Sequence, residues 1–95
     1  MTDTLQYRDA IRYQHMSVSS TAINRGGANS QSRLLRVTVN DPAAQTLTLY
    51  EGATAAGNII AVVDCNNAGT FEYGVTVTGL TADLSGTADI TVIYQ

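Results

Sequence analysis

Ninety-five residues make a single domain, close to the lower limit at which a chain buries enough apolar surface to be stable alone. One cysteine and one histidine exclude an intramolecular disulfide and a Cys/His zinc cluster. The net charge of −3 works against general nucleic-acid binding, which depends on neutralising phosphates with cations.

The charge is split along the chain. Arg8, Arg12, Arg25, Arg33 and Arg36 are the only strong cations and share residues 1–40 with just Asp3 and Asp9, whereas residues 41–95 carry six carboxylates and no cation. One end is complementary to the other, which points to an N-terminal segment that reaches an acidic surface on its own body, a sister subunit or a partner. The first fifteen residues lack an apolar h-region, and no apolar run approaches the length of a membrane span. The expectation is a soluble protein made in a cytoplasm, with no membrane partner.

In chain order, residues 5–13 fit two periods. Tyr7 and Ile11 are spaced as on a helix, while Leu5, Tyr7, Ile11 and Tyr13 follow a two-residue period interrupted by Asp9. The extended form is preferred, because it sets Arg8 and Arg12 opposite the aromatics and only Thr4 offers an N-cap before Leu5. Residues 1–15 are read as an N-terminal arm and residues 16–95 as a single β-sandwich domain. An amphipathic extended arm seeks a groove or a sheet edge, and arginines make bidentate contacts there. Tyr7, Arg8, Ile11, Arg12 and Tyr13 are therefore the candidate partner-binding residues, with Arg25 added from the loop at 24–32.

Residues 16–23 form one further strand, with Met16, Val18 and Ala22 on one side. From residue 33 onward, period-2 segments alternate with turn residues. Residues 33–40 set Leu35, Val37 and Val39 inward, and Asn40-Asp41-Pro42 breaks the strand. Residues 45–51 set Leu47 and Leu49 inward. Residues 58–64 are apolar on both faces and are expected to be buried on two sides. The turn at 65–69 is followed by residues 70–78, with Phe71, Tyr73, Val75 and Val77 on one face, and residues 88–95 turn Ile90, Val92 and Tyr94 inward. Six or so short strands, thirteen threonines and a single proline predict an all-β fold: an antiparallel β-sandwich or jelly-roll-like barrel with an extended arm. The subunit is short of staples, so self-association is expected to supplement its core.

No catalytic constellation emerges, and the expectation is a non-enzyme without cofactor or metal. His15 has no Cys, Asp or second His at ligand spacing and is given a structural or surface role. Cys65, where a strand meets a turn, is read as a small buried hydrophobe. Asp83, Ser85 and Asp89 are placed in one loop, without the alternating oxygen ligands of a calcium site. A single Arg25-Gly26-Gly27 is a turn, not an RNA-binding repeat. Glu72 and Asp89 point outward, where no pocket raises a pKa for acid catalysis.

The strand motifs RLLRVTVN at 33–40, LTLYEG at 47–52, GNIIA at 57–61, GTFEYG at 69–74 and GTADITVIY at 86–94 give a resemblance over about two-thirds of the chain. It resembles the small virion proteins of tailed bacteriophages, the capsid decoration (cement) and related auxiliary head proteins. The resemblance implies a β-sandwich body, a homo-oligomer with a trimer favoured, the major capsid protein as partner, and a position on the outer surface of the virion shell. There it would reinforce the shell against internal DNA pressure. The alternative, from a different class, is a tail- or fibre-associated module that binds a host receptor or carbohydrate, with exposed aromatics such as Tyr50 stacking on sugar.

Overall fold

The structure is a computed structural model that describes residues 11–18, 20–23, 31–52 and 54–95. Among these are eight strands and no helix: β1 (Arg12–Met16), β2 (Ser20–Ala22), β3 (Gln31–Asp41), β4 (Thr46–Glu51), β5 (Asn58–Asp64), β6 (Gly69–Thr78), β7 (Leu80–Leu84) and β8 (Asp89–Tyr94). They form two antiparallel four-stranded sheets, ordered β1-β8-β3-β6 and β2-β7-β4-β5.

This order has a simple origin. β4 pairs with β5, β3 with β6, β2 with β7 and β1 with β8, so the chain is one long hairpin ribbon whose tip lies between β4 and β5. The ribbon stays hydrogen-bonded around its corners: Ala43 N donates to the Cys65 carbonyl (2.8 Å), Ala88 N to the Ser17 carbonyl (3.0 Å) and Ile23 N to the Leu80 carbonyl (2.6 Å). Rolled up, it closes with two new ladders, β3 against β8 and β4 against β7. That is the eight-strand jelly roll, the narrower of the two forms expected from the pattern. A single glycine, Gly79, links β6 to β7 across the two sheets, and its φ of +76° is one that L side chains rarely adopt.

The two inner faces make the core. Leu34, Val37 and Val39 of β3 meet Leu47 and Leu49 of β4, Leu80, Ala82 and Leu84 of β7, and Ile90, Val92 and Tyr94 of β8; all are buried. The alternation expected for β4 and β8 is the one observed. Phe71, Val75 and Val77 do share the inward face of β6, opposite Val37, Leu34 and Ser32, but only Val77 is buried, because β6 is an edge strand.

Four expectations are corrected. In β3 it is Leu34 that enters the core, while Leu35 is half-buried, since a β-bulge between Leu34 and Arg36 shifts the phase of the strand by one residue. Residues 58–64 are not covered on both faces: β5 is an edge strand, with Ile60, Ala61 and Val63 against the core and Ile59 and Val62 exposed. Residues 16–23 do not make one strand. Met16 closes β1 in the first sheet, Val18 is exposed at the bend, and β2 begins in the second sheet. Finally, Asp83 and Asp89 do not share a loop: Asp83 lies in β7 and Asp89 opens β8, in opposite sheets, with Ser85 in the turn between them. Of the segment drawn as the arm, residues 12–15 are ladder partners of β8, and residues 1–10 lie outside the described residues.

Candidate functional site

The outer face of the first sheet carries the densest polar arrangement among the described residues, and it adjoins strand β1, where the arm residues enter. Register decides which side chains meet there. Tyr13 stands opposite Ile93 of β8, which lies beside Arg36 of β3, and Arg36 is opposite Glu72 of β6. The next row holds His15, Thr91, Thr38 and Thr70. Cross-strand neighbours on one face lie within side-chain reach, so these rows become bonds.

Arg36 donates through Nε to both carboxylate oxygens of Glu72, at 3.2 and 3.1 Å. The hydroxyls of Thr38 and Thr70 share a hydrogen bond of 3.2 Å. His15 Nε2 lies 2.5 Å from Asp89 Oδ1, and Asn40 Nδ2 donates both to that same oxygen (3.2 Å) and to Thr91 Oγ1 (3.0 Å). The network ties edge strand β1 to β8 and β3 through side chains as well as backbone. It is a strut across strands: Thr91, the adjacent hydroxyl, is engaged by Asn40 and not by the imidazole.

The hydrogen bond from His15, and then that from Asn40, lowers the pKa of Asp89 below the usual carboxylate value of 3.8. A carboxyl that titrates lower folded than unfolded contributes stability above its unfolded value, and that contribution is lost as pH falls from there through the folded one. Removing the imidazole with His15→Ala is expected to raise the Asp89 midpoint towards 3.8, read by NMR titration of the side-chain carboxyl. An unchanged midpoint would assign the depression to Asn40 alone.

The arm candidates fall into two sets. Ile11 and Tyr13 are 62% and 72% exposed beside the free edge of β1, and Arg12 is half-buried on the opposite side of the strand, so the alternation of arginine and apolar residues holds at these positions. Tyr7, Arg8 and Arg25 lie outside the described residues. Among the described residues none covers Ile11 and Tyr13, which stay exposed.

The other chemical candidates are dispersed or engaged. Cys65 is fully buried, its thiol donates to the Val63 carbonyl at 3.8 Å, and burial pushes its pKa up, which keeps it in the unreactive protonated form. Ser85 Oγ accepts from Thr46 N (2.8 Å) and donates to Gln45 Oε1 (2.9 Å), fastening the turn after β7 to β4. Glu72 and Asp89 are both on the outer face, held by Arg36 and His15 respectively. No three His, Cys, Asp or Glu side chains among the described residues are grouped to hold a metal ion. Tyr50 is half-buried on the outer face of the second sheet, in register with Ile59 and Thr81.

Sequence reading missed the His15–Asp89–Asn40 cluster. Its members are up to 74 positions apart and come together only through the β1–β8 and β3–β8 registers, so no local spacing signals them. No family model matches this chain, and no curated protein is similar enough to it to count as a relative.

Proposed function

We propose that the chain is a structural virion protein, a cement or decoration protein that binds the outer surface of a tailed-phage capsid through its N-terminal arm and self-associates as it does so. The observation that carries the reading is the exposed pair Ile11 and Tyr13, Tyr13 on edge strand β1 and Ile11 immediately before it, where the strand leads into the N-terminal segment. Apolar side chains at a free sheet edge invite an added strand from a partner. The eight-strand jelly roll supports the same reading, since capsid domains are a recurrent use of it, although a fold alone does not assign a function.

Deleting residues 1–10 leaves β1 in place. It is expected to abolish co-sedimentation with undecorated heads of the phage that encodes the chain, while the body keeps its circular dichroism and unfolding transition. Heads that bind the truncated and full chains equally would sink the arm mechanism, and heads that bind neither would sink the capsid reading. Lectin domains also use the jelly roll, and Tyr50 has one face towards solvent. Glycan binding by a chain with no affinity for heads would favour the tail or fibre reading.

A further inference from the structure

The four edge strands are guarded differently. β2 has three residues, and β1 is the edge that leads into the N-terminal segment and is assigned above to the partner. β6 carries the charged Glu72 and is interrupted at Gly74, whose φ is +76°. Short length, charge and interruption are the ordinary ways of preventing edge-to-edge pairing. β5 has a bulge at Ile60 but no charge before its last residue, Asp64. Its outer face presents Ile59 and Val62, 60% and 59% exposed, and no described residue pairs along its free side.

We infer that β5 pairs antiparallel with β5 of a second copy, about a two-fold axis between Ile60 and Ala61, joining two second sheets into one of eight strands. The register follows from the pattern of faces. The bulge at Ile60 turns both Ile59 and Val62 outward and leaves Ile60 and Ala61 on the core side. With the axis there, Ile59 faces the second copy's Val62 and Ile60 faces its Ala61, so outward meets outward and inward meets inward. Moving the register by one residue sets Ile59 against Ala61 or Val63, which point the other way.

The charges agree with a second copy as the occupant. Asp64, the strand's only charged residue, falls opposite the neutral Gly57, and the two Asp64 positions end about 23 Å apart at about 3.3 Å per residue. Four exposed β-branched side chains then form one apolar cluster, which an isolated chain leaves in water. The inference rests on the self-association in the reading above, but not on the capsid. It replaces the three-fold assembly implied by the resemblance with a two-fold.

Light scattering coupled to size exclusion tests it on the full chain. At micromolar concentration the mass is expected to be twice the 10.0 kDa of one chain. Val62→Lys, at an exposed position, is expected to return the mass to one chain with an unchanged circular dichroism spectrum, and Thr76→Lys on the β6 edge to leave the dimer intact. A second experiment reads the register without relying on a disrupted interface. Ile59→Cys and Val62→Cys chains, mixed under mild oxidant, should cross-link to each other, while neither does so alone, because identical positions lie about 10 Å apart along the paired strands, beyond disulfide reach. A monomer, a trimer mass, a dimer that survives Val62→Lys, or cross-linking of either cysteine variant alone would overturn the proposal. Heads that fail to bind an intact dimer would overturn the capsid reading and leave this one standing.

Discussion

Leu34→Ala is expected to destabilise the body by about 2–5 kcal/mol, and its neighbour Leu35→Ala by about 1 kcal/mol. The two leucines are adjacent and chemically identical, so the contrast isolates their environment. Leu34 is wholly buried between Val75 of β6 and Tyr94 of β8, and truncating it leaves a cavity among residues that are themselves pinned in ladders. Leu35 is the extra residue of the bulge and is half-buried. A chain of this size has a total stability on the order of 5–15 kcal/mol, so the first substitution removes a large part of it. Urea unfolding followed by circular dichroism gives both numbers. If Leu35→Ala proves the costlier, the strand runs without the bulge and unbroken alternation is the correct phase.

Gly57→Ala is expected to destabilise the body by about 1–3 kcal/mol, the range for forcing atoms into a packed site. A Cβ at residue 57 would stand 1.9 Å from the backbone oxygen of Glu51 and 3.0 Å from its carbon. Those atoms end β4, where Glu51 pairs with Asn58, the first residue of β5, so relief requires opening the tip of the ribbon. Gly86→Ala is the matched control. The three atoms nearest its added carbon all belong to the end of the Gln45 side chain, which can swing aside with loss of the contact to Ser85, for less than about 1 kcal/mol. Because Gly57 leads into β5, its substitution is also expected to weaken the dimer, whereas Gly86→Ala leaves the dimer unchanged. Thermal unfolding and light scattering on the same samples separate the two effects.

The charge split takes a different meaning once the strands are in register. Arg36 is balanced within the body by Glu72 across the β3–β6 ladder, so part of the apparent complementarity between the two ends of the chain is consumed internally. Glu51 likewise accepts a hydrogen bond from the Thr78 backbone N–H at 2.9 Å.

What could be read from the residues was whatever repeats every second position. Leu47 and Leu49 in β4 and Ile90, Val92 and Tyr94 in β8 are inward because successive side chains of a strand point to opposite faces, a constraint carried by each segment alone. The same rule misled wherever one residue was added: bulges at Leu35 and Ile60 reverse the phase beyond them, and nothing in a run of leucines or isoleucines marks which one is extra. β7 has no counterpart among the expected strands, where Asp83 is read with Ser85 and Asp89 as one loop, because the strand gains its ladders from β2 and β4, far away in the chain. Edge or centre, and with it the exposure of Ile59 and Val62, depends on strand order. So does the union of His15, Asp89 and Asn40. Local alternation is written into neighbouring residues, whereas order, register and the surfaces they create arise only when distant strands compete for the same hydrogen bonds and the same core.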